Sequence, residues 1–198
     1  MGPRAPVDVP PRWQVLPLDG VARDGALVVR LGPGSGFGDG SHPSTQLCLQ
    51  AIAALSPRGS AWRMLDFGSG SGILSIAAAR LGASIDAVEI EPGAIEHAAR
   101  NVDANGVRDR VRPLRTIDAA AGPFDLVVAN ILRAVLVAFA EPLASALARG
   151  GALVLAGLVS TDVPEVTARY ARLLGGMRPE VYERSEWRAL VWRSARNA

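Results

Sequence analysis

The sequence of 198 residues contains no lysine, and all 21 of its basic residues are arginines. The missing lysine excludes a Walker-type phosphate loop, which needs that residue, and it excludes any lysine nucleophile or Schiff base. Cysteine is almost absent too, and the single Cys48 cannot form an internal disulfide. Together with the two histidines, His42 and His97, it makes a poor set of metal ligands, so we predict no metal site.

Long apolar runs and a strong net charge are also missing. The sequence contains no run of about 18 apolar residues, so it predicts no membrane span. The opening residues MGPRAPVDVPPRW lack the apolar stretch of a secretory signal. We therefore expect a protein of the reducing cytoplasm with no membrane partner. A formal net charge of +2 gives no reason to expect a nucleic-acid partner. The four arginines from Arg108 to Arg115 are compatible with an acidic or nucleic-acid partner, although such runs are more often solvated surface.

The length and composition are those of one globular domain. At 198 residues and 49% apolar content, the chain is long enough to bury a substantial core. Residues 1–31 are predicted to form an N-terminal arm with one or two short strands, of which the segment ALVVRL is the better. Within it, residues 1–11 are rich in proline and are predicted to be loose. Residues 32–198 form the predicted main domain.

From residue 44 onward, helical and extended patterns alternate. The apolar spacing after Ser44 predicts a helix that is capped by Ser44 and ended by Pro57 and Gly59. Further on we predict strands over 63–67, 85–90, 111–114, 124–131 and 152–159, helices over 73–81, 93–106, 134–148 and 163–174, and a strand pair over 178–193. This alternation predicts an α/β fold with a doubly wound, mostly parallel seven-stranded sheet and helices on both faces.

Chemistry-bearing residues follow the predicted strands at their carboxyl ends, where open parallel sheets bind ligands. The stretch LDFGSGSGIL places Asp66 and the glycines Gly68, Gly70 and Gly72 after the first strand of the main sheet. Glycines let the backbone approach a ligand closely, and the helix behind them offers free amides. Glu89 ends the second strand, where an acid can accept both hydroxyls of a ribose. The combination predicts a nucleotide ligand.

The spacing of the glycines distinguishes between two nucleotide cofactors. A dinucleotide fingerprint reads G-x-G-x-x-G, whereas this loop reads G-x-G-x-G and has Ile73 at the third glycine position. Asp66 would repel a pyrophosphate but would attract a ligand that carries an ammonium and a sulfonium. These features favour S-adenosylmethionine over NAD. An NAD-dependent or non-catalytic nucleotide-binding protein stays open as the alternative at this point.

The stretch DFGSGSGILSIAAARLGA resembles the first motif of class I S-adenosylmethionine-dependent methyltransferases. Three further stretches, GFGDGSHPSTQLCL, VVANIL and PPRWQVLP, resemble the PrmA type, which methylates a protein of the large ribosomal subunit. The resemblance runs from Pro10 to the C-terminus. It implies a Rossmann-like methyltransferase fold, S-adenosylmethionine as cofactor and an amino nitrogen as methyl acceptor.

The resemblance also assigns roles to individual residues. It implies that the loop from Phe37 to Thr45 closes over the cofactor opposite the main glycine loop. The predicted cofactor-binding residues are Phe37, Thr45, Asp66, Gly68, Ser69, Gly70, Gly72, Glu89, Ile90 and Asn130. The side-chain oxygen of Asn130 and the carbonyl of Ile131 are the predicted acceptors for the amine and so the catalytic pair. For His42 we predict a structural turn rather than a catalytic role.

Two departures from the family pattern bear on the substrate. The family shows Gly-Thr-Gly-Thr-His where this chain has Gly-Asp-Gly-Ser-His, so Asp39 adds a negative charge near the cofactor or near the entering amine. The family also carries a separate N-terminal substrate-recognition domain, where this chain has about thirty residues. The expected partner is therefore a protein, ribosomal or not, with a small-molecule amine as the alternative.

Overall fold

The computed structural model describes residue 3 and residues 5–57 and 61–193. Ten strands and six α-helices alternate within these ranges. The strands are β1 (Val7–Val9), β2 (Trp13–Pro17), β3 (Leu27–Leu31), β4 (Trp62–Phe67), β5 (Ala83–Val88), β6 (Val111–Leu114), β7 (Phe124–Asn130), β8 (Leu147–Val159), β9 (Glu180–Arg184) and β10 (Trp187–Arg193). The helices are α1 (Pro43–Leu55), α2 (Ile73–Arg80), α3 (Pro92–Ala104), α4 (Arg133–Ala138), α5 (Ala140–Ser145) and α6 (Val163–Leu173).

Seven strands form the main sheet in the order β6-β5-β4-β7-β8-β10-β9. The first five are joined by parallel pairings, and β10 is antiparallel to both of its neighbours. The predicted doubly wound, mostly parallel sheet is thus confirmed. The strand order reverses between β4 and β7, so the carboxyl ends of these two strands border the crevice where such sheets bind ligands.

Helices cover both faces of this sheet, as predicted. One apolar cluster joins the sheet to α1, α2 and α3, and a second joins it to α4, α5 and α6. Both faces are buried, which explains why the parallel strands read as continuous apolar runs. None of the helices in the described ranges is both long and apolar enough to cross a membrane.

The N-terminal strands form a separate three-stranded sheet that packs on the first apolar cluster. β1 pairs antiparallel with β2, and β2 pairs parallel with β3. Trp13 is fully buried, and its indole Nε1 donates to the carbonyl of Leu49 in α1 at 2.9 Å. The predicted loose arm is therefore wrong for Val7–Val9, which form a paired strand ending in the buried Val9.

The single helix predicted over 134–148 is wrong. α4 ends at Ala138, α5 ends at Ser145, and residues from Leu147 onward belong to β8. Pro142 explains the break, because proline has no amide hydrogen to donate to the carbonyl four residues earlier and its ring crowds that carbonyl. The carbonyl in question is that of Ala138, the last residue of α4.

Two element boundaries near the ligand edge also differ from the prediction. α1 begins at Pro43 with His42, not Ser44, as its N-cap, and it ends at Leu55. The predicted terminator Gly59 lies outside the described residues. β5 ends at Val88, so Glu89 and Ile90 follow the strand rather than completing it.

Candidate functional site

Two glycine loops meet at the carboxyl edge of the sheet. The first glycine loop, residues 32–42, joins β3 to α1, and the second glycine loop, residues 68–72, joins β4 to α2. The amide of Ser71 donates to the carbonyl of Phe37 at 2.9 Å, and its Oγ donates to the carbonyl of Gly38 at 2.6 Å. A Cβ at Gly70 would lie 2.6 Å from the Phe37 oxygen, so only glycine permits this approach. The two loops therefore form one continuous backbone surface.

Glu89 lies directly beyond β5 and bonds to the second glycine loop. Its Oε2 accepts from the amide of Gly70 at 3.0 Å, and its Oε1 accepts from the amides of Ile90 and Glu91 at 2.8 and 3.1 Å. A carboxylate offers about four acceptor positions. The remaining position on Oε2 suits one ribose hydroxyl, and a second hydroxyl would replace the bond from Gly70.

Asp66, at the end of β4, is buried beneath the second glycine loop rather than exposed to the crevice. Its exposed fraction is 0%, its Oδ2 accepts from the Ser75 hydroxyl at 2.6 Å, and its Oδ1 has no partner within the described residues. Burial raises the pKa of Asp66 to about 6, against the hydrogen bonds from Ser75 and with a further contribution from the charge of Glu89. With no exposed surface, Asp66 can act on a ligand through its charge rather than by direct contact in this structure.

Asn130 and Ile131 lie at the end of β7, next to the second glycine loop. Asn130 Nδ2 donates to the hydroxyl of the buried Thr45 at 3.3 Å, which orients the amide. A Cβ at Gly157 of β8 would lie 2.7 Å from the Ile131 carbonyl oxygen and 3.2 Å from Asn130 Oδ1. Gly157, with a φ of +82°, thus lets the β8 backbone lie close to both oxygens, where any side chain would collide with them. Gly157 was not among the predicted site residues, although a lone glycine inside an apolar strand is a known sign of close approach.

Exposed apolar side chains surround the mouth of this crevice. The exposed fractions of Phe37, Ile90 and Leu132 are 61%, 78% and 75%. They belong to the first glycine loop, to the turn after β5 and to the turn after β7, so a ligand seated between the turns would cover them.

A family model described as ribosomal protein L11 methyltransferase (PrmA) matches residues 5–195 of the chain. The chain belongs to this family.

Individual relatives agree with the family model. The ribosomal protein L11 methyltransferase of Geobacter sp. strain M21 is 37% identical over 191 residues, which are 93% of this chain and 60% of the relative. The protein of the same name from Bordetella parapertussis is 46% identical over 151 residues, 76% of this chain and 48% of the relative. The chain thus spans 48 to 60% of the length of these curated relatives.

A solved structure gives the same result for the fold. The crystal structure of a ribosomal protein L11 methylase from Lactobacillus delbrueckii subsp. bulgaricus aligns with a TM-score of 0.84 and 27% identity. The alignment covers 96% of this chain and all of that chain. The predicted Rossmann-like methyltransferase fold and the resemblance to the PrmA type are both confirmed.

Two members of the PrmA-type motif GDGSH have structural partners in this chain. His42 caps α1, its Nδ1 lies 2.7 Å from Ser44 Oγ, and its ring meets those of Phe37 and Trp187 at centroid distances of 5.4 and 4.4 Å. Asp39 Oδ1 accepts from the amide and hydroxyl of Ser41 at 2.9 and 2.5 Å. Trp187 comes from β10 and was not predicted at this edge, since nothing local marks it.

Two buried polar residues of α3 and the residue that caps its C-terminal end were also missed in this PrmA-family chain. His97, Asn101 and Asn105 have exposed fractions of 1%, 1% and 4%, and all three bond to backbone at or near the glycine loops. A signal was available, since polar residues spaced four apart share one face of a helix. The sequence pattern alone does not say that this face is buried.

The arginine cluster does not form a free basic surface. Arg112 makes a bidentate pair with Asp86 at 2.9 and 2.6 Å, and Arg108 pairs with Asp103 at 3.0 Å. Arg110 donates to the carbonyl of Gly82 at 3.2 Å. These bonds account for three of the four arginines as local structure, and they give the nucleic-acid alternative no support.

Two other kinds of chemistry were considered for this chain, a cysteine nucleophile and a metal site. Burial raises the pKa of the Cys48 thiol, and the charge of Asp66 adds to the rise, so this thiol is not a nucleophile. Within residues 5–57 and 61–193 no three His, Cys, Asp or Glu side chains are grouped as metal ligands.

Proposed function

We propose that this chain carries the methyl-transfer site of an S-adenosylmethionine-dependent N-methyltransferase whose substrate is a ribosomal protein. One observation carries the proposal. The interlocked glycine loops, which bond to Glu89, meet Asn130 and Ile131 at the point where the strand order reverses. A nucleotide-type cofactor site and a pair of amine acceptors are thus adjacent. The names of the relatives, ribosomal protein L11 methyltransferase, support the choice of substrate.

The residues present fit S-adenosylmethionine in charge and in hydrogen bonding. Glu89 has an acceptor position left for a ribose hydroxyl, and the loop backbone is open to close approach. The unpartnered Oδ1 of Asp66 supplies a buried negative charge that nothing in the described chain neutralises. A ligand with a sulfonium and an ammonium compensates that charge, whereas a pyrophosphate would oppose it. When bound, the cofactor supplies an electrophilic methyl group on sulfur.

The role of this chain's own groups in transfer is alignment. Asn130 Oδ1 and the Ile131 carbonyl accept hydrogen bonds from the entering amine and direct its lone pair, and Thr45 fixes the Asn130 amide. Such alignment lowers the barrier by converting a bimolecular step into an oriented one. The apolar rim of Phe37, Ile90 and Leu132 excludes water when substrate covers it.

The amine must be neutral to react. An α-amino group, with a reference pKa of about 7.7–8.0, loses its proton in solvent far more readily than a lysine, with a reference pKa of about 10.4. The first substrate to test is therefore a protein with a free N-terminal amine. A lysine side chain would need desolvation in the crevice to lower its pKa.

The cofactor half of the proposal is tested by calorimetry. We expect S-adenosylmethionine and S-adenosylhomocysteine to bind with micromolar dissociation constants, about 8 kcal/mol, and NAD to bind much more weakly. Tighter binding of NAD would contradict the cofactor assignment and would indicate a dinucleotide-binding site instead.

The acceptor half is tested with labelled S-adenosylmethionine and purified ribosomal protein L11, with a cell lysate as the unbiased source of other acceptors. Asn130→Ala is expected to lower turnover about 10- to 100-fold, on the order of 1.4–3 kcal/mol in the barrier, and to weaken cofactor binding less. Full turnover in Asn130→Ala would show that Asn130 is only a strand-end residue. Label that goes to a small molecule instead of a protein would overturn the substrate class.

A further inference from the structure

One face of α3 presents a ladder of polar side chains to the chain segment that enters the first glycine loop. The ladder consists of His97 and Asn101 of α3 and of Asn105, the residue that caps the C-terminal end of α3. The three are spaced four residues apart and are almost wholly buried. Buried amides and imidazoles are costly unless their polar atoms are bonded. In this ladder every side-chain nitrogen and amide oxygen has a backbone partner.

The two outer members of the ladder hold only the first of the two loops or the strand before it. Asn105 Oδ1 accepts from the Arg30 amide at 2.9 Å, and its Nδ2 donates to the Arg30 carbonyl at 2.7 Å. His97 Nδ1 accepts from the Gly36 amide at 3.1 Å, and its Nε2 lies 2.9 Å from the Gly32 carbonyl. Because Nδ1 accepts, the network assigns the proton to Nε2, which donates to Gly32.

The middle member differs, because it bonds to both loops with one amide. Asn101 Oδ1 accepts from the amide of Gly32 in the first glycine loop at 2.8 Å. Its Nδ2 donates to the carbonyl of Ser71 in the second glycine loop, also at 2.8 Å. Ser71 in turn bonds to Phe37 and Gly38 through its amide and its hydroxyl. Asn101 therefore closes a ring of hydrogen bonds that runs through both loops.

We propose that Asn101 is a positioning residue for cofactor binding, whose side-chain amide sets the spacing between the two glycine loops. The inference rests on the proposed cofactor site and adds to it a residue that does not face the ligand. Without this amide, the buried Gly32 amide and Ser71 carbonyl lose their partners, and the loops are held together only by their direct contacts. When the two loops are held at the correct distance before the ligand arrives, binding does not include the entropic cost of ordering them.

The first experiment compares two matched variants by calorimetry with S-adenosylhomocysteine. Asn101→Ala is expected to raise the dissociation constant at least 10-fold. Asn105→Ala removes a similarly buried amide with backbone partners from the same helix face, but it touches no residue of the second loop. We expect it to raise the dissociation constant less than threefold. Urea unfolding of both variants reports their stability loss, and equal changes in affinity at equal stability loss would overturn the proposal.

The second experiment uses Asn101→Asp to separate the two bonds. A carboxylate keeps the acceptor for Gly32 but has no proton to donate to Ser71, whereas a protonated carboxyl group restores the donor. The ratio of variant to wild-type dissociation constants should therefore fall several-fold as the pH is lowered from 8 to 5. Taking the ratio reduces the contribution of Asp66, which both proteins share. A ratio that stays high at every pH would contradict a positioning role.

These outcomes are separate from those of the proposed function. Wild-type protein that fails to bind S-adenosylhomocysteine removes the cofactor site and the role of Asn101 together. Wild-type binding with no acceptor methylated overturns only the substrate, and the two calorimetric comparisons still decide the role of Asn101.

Discussion

Two aspartates are buried on neighbouring strands of the main sheet, and their surroundings are opposite. Asp86 of β5 is 5% exposed, and it accepts from Arg112 Nε and Nη2 at 2.9 and 2.6 Å and from the Ala121 amide at 2.8 Å. Arg63 adds a second cation at 3.8 Å. Asp66 of β4 has the Ser75 hydroxyl as its side-chain partner and no cation beside it in the described chain.

The pKa values of the two carboxyl groups move in opposite directions as a result. Burial works to raise the pKa of Asp86, but the hydrogen bonds from Arg112 and Ala121 and the charges of Arg112 and Arg63 outweigh it and lower the pKa. For Asp66 nothing outweighs burial, and the pKa rises to about 6. The chain neutralises one buried acid and leaves the charge of the other uncompensated at the ligand edge. Such perturbed groups cluster at functional sites.

The largest expected effect is on the free energy of unfolding when Asp86, the aspartate paired with arginines, is replaced. Asp86→Ala leaves Arg112 and the Ala121 amide without their partner, so the free energy of unfolding should fall by about 2–3 kcal/mol. The partial exposure of both arginines keeps the loss below that of a fully buried pair. Urea unfolding at neutral pH measures the change. Cofactor affinity should be unaltered, and a stability loss below about 0.5 kcal/mol would remove the contrast between the two aspartates.

The next effect is a pH dependence that belongs to Asp66. Its folded-state pKa lies above the ordinary value of 3.8 for an aspartate, so the folded chain holds this proton more tightly and unfolding releases it. The stabilisation is complete below 3.8 and is lost as the pH rises through about 6. Between about pH 4 and pH 7 the free energy of unfolding of the wild type should fall relative to Asp66→Asn by about 2–3 kcal/mol.

Denaturation curves of the wild type and of Asp66→Asn across this pH range give the difference between their free energies of unfolding. Contributions from ionisable groups that the two proteins share cancel in this difference. Saturating S-adenosylmethionine should reduce it, because a bound cation stabilises ionised Asp66. A difference that is flat with pH would show that Asp66 is not the uncompensated charge.

Glu89 and Glu91 form a second pair of acids with different roles, one at the second glycine loop and one at the start of α3. Glu89 bonds to the second glycine loop, so Glu89→Ala should weaken cofactor binding by about 2 kcal/mol, the range for hydrogen bonds to a charged group. Calorimetry with S-adenosylhomocysteine measures this loss. Glu89→Gln keeps one oxygen acceptor and should lose less affinity. If Glu89→Ala binds S-adenosylhomocysteine as tightly as the wild type, Glu89 only stabilises the second glycine loop and does not contact the cofactor.

The smallest effect is expected at Glu91, whose Oε2 caps α3 by accepting from the Ala94 amide at 2.6 Å. Glu91→Ala should lower the free energy of unfolding by about 1 kcal/mol, as the loss of an N-cap does. Cofactor affinity should change little. Equal losses of affinity at the two glutamates would merge their roles and contradict the distinction.

Much of the fold could be predicted from the sequence because it depends on local periodicity. Short apolar runs predicted the strands of the main sheet, and their alternation with helices predicted its parallel, doubly wound arrangement. Residues at strand ends, such as Glu89 and Asn130, could be placed at the ligand edge because parallel strands end at the same edge. The break between α4 and α5 also has a local cause, since Pro142 lacks the amide hydrogen that a continuous helix needs.

The sequence by itself determined the order of elements, the two glycine loops and the residues at the strand ends. Only the tertiary structure decided which of two similar aspartates is neutralised, that Thr45 holds Asn130 across 85 positions, and that Asn101 joins both loops. The physical reason is that the ionisation of a buried group and the partner of a buried amide depend on atoms that distant segments bring within about 3 Å. No local pattern in the sequence records those distances.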